Sequence, residues 1–142
     1  MFQYTYTHRV RYRECDPMGF VYHAHYIDYF EAARTEALRA VGIPYRELEA
    51  IGIIMPVIEV NVRYREAAHY DDLLEITATF EDEPNLRVHV GYSVRRAGED
   101  KELTTGTVTL CFVDTSRNRP VRAPERLLEA FRRARAEEEA SA

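Results

Sequence analysis

The chain has 142 residues and a formal net charge of −5, a length that suits one domain able to bury its own core. A hydrophobic share of 46% beside 30% charged residues, with only six glycines, excludes disordered, collagen-like and low-complexity chains. The best apolar run, Ile51 to Ile58, is short and broken by Pro56; no secretory signal opens the chain; and Cys15 and Cys111 are too few for a disulfide framework or a four-ligand zinc site.

These features set the expectation of a cytoplasmic protein with no membrane span, no metal and no cofactor. Without repeats or linker-like stretches, residues 1–142 read as a single domain.

In chain order, residues 3–13 alternate Tyr4, Tyr6, His8, Val10 and Tyr12 against Thr and Arg, the period-two pattern of a strand. Asp16-Pro17-Met18-Gly19 has turn chemistry, with Asp first, Pro second and Gly last. From His25 the period changes: Tyr26, Phe30, Ala33, Ala37 and Val41 share one helical face, and Gly42 followed by Pro44 ends the helix. A face this rich in Ala can sit close against a curved sheet. Pro44 then opens a brief second helix through Leu48 and Ile51 that Gly52 closes.

Four further strands follow, each alternating apolar with polar residues: Ile58–Arg65, Leu74–Glu81, Arg87–Arg95 and Thr107–Phe112. One-sided alternation and hairpin-sized connections at 83–85 and 97–100 predict an antiparallel sheet packed on one face. A Pro-started helix over 124–136 turns Leu127, Leu128 and Phe131 inward, and an acidic tail, 137–142, closes the chain. The sum is an α+β architecture, one long helix against about five antiparallel strands.

Of 19 basic residues, 18 are Arg. The acidic total argues against a general nucleic-acid binder, yet Arg117 to Arg135 holds seven Arg against Glu125 and Glu129. That stretch reads either as a solvated face of compensating pairs or as a patch for an anionic ligand, since guanidinium groups match phosphate geometry.

Reactive side chains crowd between the first strand and the long helix: Cys15, Asp16, Tyr22, His23, His25 and Tyr26. Four readings compete. Asp16 is a turn residue; His23 and His25 ligate a metal with Asp16, which a helical spacing of two disfavours; Cys15 is a nucleophile, which the neighbouring Asp16 opposes by raising its pKa; or Asp16 is a catalytic carboxylate facing the helix start. For the last, no Ser, Thr, Asp or Asn stands at the expected cap in Tyr22-His23-Ala24-His25-Tyr26. The first amides there are open to a ligand oxygen that becomes negative during reaction. An acid beside such donors is a minimal acyl-transfer site.

The stretch YRECDPMGFVYHAHYIDYFEAAR, Tyr12 to Arg34, resembles the signature of the 4-hydroxybenzoyl-CoA thioesterase family. It is most similar to the branch of acyl-CoA thioesterases associated with the bacterial Tol–Pal envelope system. The resemblance covers nearly the whole chain and implies the hotdog fold. It implies that Asp16 is the catalytic carboxylate, as nucleophile or as general base on water. The backbone N–H at position 23 would polarise the thioester carbonyl, and the His23 side chain would position thioester or water. Tyr22 and Tyr26 would line the acyl pocket. Glu31 and Arg34 match the family's FExAR, either as a structural helix pair or, for Glu31, as a weaker rival acid.

The substrate so implied is an acyl-CoA, or an acyl carrier protein. Its phosphates would meet cations such as Arg63 and Arg65, with Arg95, Arg96 and the 117–135 group as further candidates. His69 and His89 are expected to serve no catalytic purpose. Because the family's pockets form between subunits, a homodimer at least, and commonly a homotetramer, is implied. The competing functions are a hotdog dehydratase or hydratase, whose expected His pattern is absent, and a non-catalytic acyl-binding or scaffold protein of the same fold.

Overall fold

The computed structural model describes residues 1–141. Its elements are β1 (Phe2–Arg9), a 3₁₀ turn (Tyr12–Glu14), α1 (His25–Ala40), α2 (Tyr45–Ala50), β2 (Ile53–Ile54), β3 (Val57–Tyr64), β4 (Leu73–Phe80), β5 (Arg87–Arg96), β6 (Thr104–Asp114), β7 (Arg119–Val121) and α3 (Glu125–Ser141). Five long strands pair in the order β1-β4-β5-β6-β3, all antiparallel, and the short β2 and β7 also pair with β6.

Alternation places the core on one face of the sheet. Leu74, Ile76, Ala78 and Phe80 of β4 are buried, as are Val88, Val90, Tyr92 and Val94 of β5. Against this face lies α1, presenting Tyr26, Tyr29, Phe30, Ala33, Ala37 and Leu38. Phe30 stacks on Tyr92 with ring centroids 4.3 Å apart, and Gly106 of β6 lets it approach, since a Cβ there would lie 2.6 Å from the Phe30 ring. The helix ends in a Schellman motif: Gly42 takes φ +90° while Ile43 N donates to Leu38 O and Gly42 N to Arg39 O, both at 3.0 Å.

The structure departs from the sequence expectation in four places. The first strand stops at Arg9 rather than continuing to residue 13, because the Glu14 side chain accepts the Arg11 amide at 2.9 Å and winds residues 12–14 into a turn. The last long strand runs from Thr104 to Asp114, further at both ends than 107–112, since residues 104–106 pair with β3 and β5 and residues 112–114 with β2 and β7. Residues 137–141 continue α3 instead of forming a separate tail, and Ala142 lies outside the described residues. Ile58 and Tyr64 are each 47% exposed because β3, at the end of the five-strand path, lacks a neighbour on its outer side among the described residues.

Candidate active site

The turn at Asp16 forms as its residue types require. Gly19 N donates to Asp16 O at 2.9 Å, and Gly19 adopts φ +86°, a conformation glycine enters without a Cβ penalty. The chain then doubles back so that Asp16 N donates to Phe20 O at 2.8 Å, and Cys15 pairs with Val21 in an isolated bridge. Within this loop Asp16 Oδ1 accepts the amides of Met18 (2.9 Å) and Phe20 (3.3 Å). Its Oδ2 accepts no hydrogen bond among the described residues. The turn reading and the chemical reading of Asp16 are therefore compatible: one oxygen shapes the loop and the other stays free.

The helix start is also as the sequence suggests. Ala24 stands at the N-cap with no side-chain cap, and the amides of His23 and Ala24 donate to no acceptor among the described residues. Open amides at the positive end of a sixteen-residue helix suit an oxygen bearing developing negative charge.

These two features share one open depression of about 270 Å³, lined by Asp16, Met18, Phe20, Val21, His23, Tyr26, Tyr64, Arg65, Glu66 and Ala67. Of the residues singled out from sequence, Asp16, His23, Tyr26 and Arg65 meet here. Two do not. Tyr22 points to the surface and packs its ring on His23 at 4.3 Å, and Arg63 lines a separate shallow surface with Asn61, Val62 and Thr105. Tyr26 is buried, its hydroxyl accepting the Ala68 amide at 3.4 Å, and burial pushes its phenol above the usual range.

Sequence reasoning missed Tyr64. It ends β3 and its hydroxyl donates to the His23 carbonyl at 2.7 Å, while its ring packs edge-on against Tyr26 at 5.3 Å. Behind the depression, Arg96 donates from Nε to Asp72 (3.0 Å) and from Nη2 to Ala67 O (2.9 Å), which fixes the 65–72 loop forming one wall. Burial raises the Asp72 carboxyl, but the His69 amide and Arg96 outweigh it and hold it below the usual range. Arg96 is thus committed to the fold.

Three of the seven Arg in the 117–135 segment are committed likewise. Arg117 bonds Asp114, Arg126 bonds Glu47, and Arg132 bonds Glu83 and Glu125, which are compensating pairs, while Arg119, Arg122, Arg133 and Arg135 make no ion pair among the described residues. Arg63 and Arg65 make no ion pair among the described residues. Glu31 and Arg34 do not form the pair expected at their spacing: Arg34 Nη1 reaches across to the buried Tyr92 hydroxyl at 3.0 Å, and both residues border a second depression with Leu38, Tyr45 and Met55. The Cys15 thiol is raised by burial and then by the charges of Glu14, Asp16 and Asp72, which makes it a poor nucleophile. No group of three metal-ligating side chains occurs among the described residues. His69 sits in a loop and His89 bonds Thr109 of the neighbouring strand at 3.0 Å.

A family model described as the thioesterase-like superfamily matches residues 10–131. The acyl-CoA thioesterase YbgC of Haemophilus influenzae is 32% identical over 124 residues, which is 87% of this chain and 90% of that protein. The crystal structure of a DHNA-CoA thioesterase from Staphylococcus aureus superposes with a TM-score of 0.88 at 27% identity, over 100% of this chain and 97% of that one. A 4-hydroxybenzoyl-CoA thioesterase in complex with 4-hydroxybenzoyl-CoA shares the fold at a TM-score of 0.82 and 23% identity, over 92% of this chain and 99% of that one. The architecture is the hotdog fold.

Proposed function

The chain belongs to the thioesterase-like superfamily and is a thioester hydrolase, and from that premise we propose that it cleaves acyl-CoA with Asp16 and the His23 amide. The observation that carries the assignment is the meeting, in one depression, of a carboxylate with a free Oδ2 and a helix start with unbonded amides. The thioester carbonyl oxygen takes the His23 N–H. As general base, Asp16 Oδ2 accepts a proton from water as the water oxygen bonds to the carbonyl carbon. The tetrahedral oxyanion collapses, the C–S bond breaks, and the thiolate leaves to be protonated as CoA. As nucleophile, an Asp16 oxygen bonds to the carbonyl carbon, the C–S bond breaks and the CoA thiolate leaves to be protonated, and water then cleaves the acyl anhydride to the acid and the Asp16 carboxylate.

One oxyanion donor supplies ~2.7–4 kcal/mol of transition-state stabilisation, and a placed base contributes a factor of about 10²–10⁴. The His23 ring beside the depression positions thioester or water, Tyr26 flanks the acyl group, and Arg65 receives the phosphates of CoA or of an acyl carrier protein. Arg65 supports this by making no ion pair among the described residues. The Asp16 to Arg34 signature supports a place in the Tol–Pal-associated branch, and the cytoplasm, where acyl-CoA is made, is the compartment this reading implies. A second copy paired through the open edge of β3 completes the pocket, so the working unit is a homodimer or a homotetramer, with residues 1–142 as the single domain of each subunit.

The test is Asp16→Asn. Asn keeps the turn and an oxygen for the Met18 and Phe20 amides, so the melting temperature holds while hydrolysis of acetyl-, benzoyl- and palmitoyl-CoA falls at least 100-fold. Full activity in that variant removes Asp16 from the chemistry, and binding without turnover by the unaltered protein favours a scaffold. A single turnover in ¹⁸O-water that labels the Asp16 carboxylate identifies the nucleophilic route, with water attacking the aspartyl carbonyl of the anhydride.

A further inference from the structure

Glu14 is the only buried charged residue among the described residues, and it stands two positions before Asp16. Its carboxylate gathers three parts of the fold. His8 Nε2 of β1 donates to it at 2.9 Å, the Arg11 amide at 2.9 Å, and the Tyr29 hydroxyl of α1 at 3.0 Å. Its backbone carbonyl accepts the Tyr22 amide at 2.9 Å, the residue just before His23. One residue thus grips both ends of the loop that carries Asp16 and the open helix start.

A carboxylate taken out of water costs free energy that an apolar residue of similar volume would not, so packing alone gives no reason for Glu at this position. What the carboxylate supplies is direction, with donors arriving from a strand, a turn and a helix. We propose that Glu14 is a positioning residue for thioester hydrolysis, holding the loop so that the Asp16 carboxylate and the His23 amide address the same carbonyl group. The inference rests on the roles given to Asp16 and His23 above. Glu14 itself touches no substrate.

The experiment compares Glu14→Gln, Glu14→Ala and Tyr29→Phe, using whichever of acetyl-, benzoyl- and palmitoyl-CoA the unaltered protein turns over fastest. Misplacing a reacting group by an ångström costs about 100-fold, so Glu14→Ala loses about 100-fold in kcat with KM nearly unchanged. Gln keeps an oxygen for the Arg11 amide and the Tyr29 hydroxyl and is expected to restore kcat to within ~10-fold of the original. Tyr29→Phe, which removes one donor, keeps the protein readable if Glu14→Ala does not fold.

Leu127→Ala, in α3, serves as the control: it lowers the melting temperature and leaves kcat intact. In the double variant Glu14→Gln/Asp16→Asn the Glu14 change adds little to the loss caused by Asp16→Asn, because Glu14 acts through Asp16. Unchanged kcat in Tyr29→Phe and in a folded Glu14→Ala, or losses that multiply in the double variant, overturns the proposal. If Asp16→Asn is inactive while the Glu14 variants are normal, only this inference falls. If Asp16→Asn is fully active, the Asp16 assignment falls instead, and an unaltered protein with no turnover overturns both.

Discussion

The Tyr64 hydroxyl donates a 2.7 Å hydrogen bond to the His23 carbonyl oxygen, tying the last residue of β3 to the turn that starts α1. The bond fixes the peptide unit after His23, one step from the amide assigned to the oxyanion. Because the site is partly open to water, losing the bond costs only about 0.5–1 kcal/mol of stability. Its effect on rate is larger. Tyr64→Phe keeps the ring packed on Tyr26 and lowers kcat by ~3–10-fold through a looser amide. Steady-state kinetics beside a thermal melt check this, and an unchanged kcat removes Tyr64 from the site's support.

Gly106 gives a prediction confined to packing. A Cβ at this position would lie 2.6 Å from Phe30 Cε2 and 2.9 Å from the Asn61 carbonyl, so the central helix must lift from the sheet or β6 must shift. Gly106→Ala is expected to destabilise by about 1–3 kcal/mol, as overpacked cores do. A urea titration with an unshifted midpoint would contradict the close approach of Phe30.

The sheet and the long helix were legible because each obeys one period. Leu74, Ile76, Ala78 and Phe80 alternate with polar residues and all four are buried, and Gly42 stops α1 where its pattern ends. The Asp16 loop was legible because Asp, Pro and Gly have strong local preferences that tertiary packing left intact. What escaped were relations that depend on distant chain. Glu14 looks like an ordinary polar residue near a strand until His8 and Tyr29 are seen around it. Tyr64 reads as an inward strand residue, yet an edge strand leaves its hydroxyl free to reach His23. Arg34 lies three residues from Glu31 but finds Tyr92 across the core, a choice no helical spacing records.

Acid should weaken the protein partly through Glu14. Burial raises this carboxyl, but hydrogen bonds from the Arg11 amide, His8 and Tyr29, with the charge of His8, outweigh it and hold it below its ordinary 4.5. A depressed carboxyl contributes stability in full above its unfolded pKa and loses it as pH falls through the folded one. Glu14→Gln should therefore be less stable at pH 7, by about 1.5–3 kcal/mol for charge-assisted bonds. The gap should close toward pH 3. Urea midpoints at the two values measure it, and a gap independent of pH would show that Glu14 is not held ionised by these partners.

Arg65 is the cation best placed to meet a phosphate, since it lines the depression with Asp16 and carries no ion pair among the described residues. Arg65→Ala should raise KM for an acyl-CoA by ~10-fold, the order expected for losing one charge-assisted contact, with kcat little altered. The same acyl group on N-acetylcysteamine lacks the phosphates, so its kinetics should be indifferent to the substitution. An equal effect on both substrates would place Arg65 at the acyl end or in the fold instead.

The outer edge of β3 explains why a strand with an inward pattern is left half uncovered. Val57, Ile58 and Tyr64 stay exposed on a strand whose only partner among the described residues is β6. An open edge with apolar side chains invites pairing with another strand, and in the proposed dimer that strand is the same one from a second copy. Ile58→Lys puts a charge where the two edges would meet and leaves the core residues of β4, β5 and β6 untouched. Light scattering on the unaltered protein should give a dimer or tetramer. The variant should shift toward monomer and lose kcat/KM in step, because Asp16 then lacks the second wall of its pocket. A variant that stays assembled would move the interface to another face, and a fully active monomer would show that one chain holds the whole site.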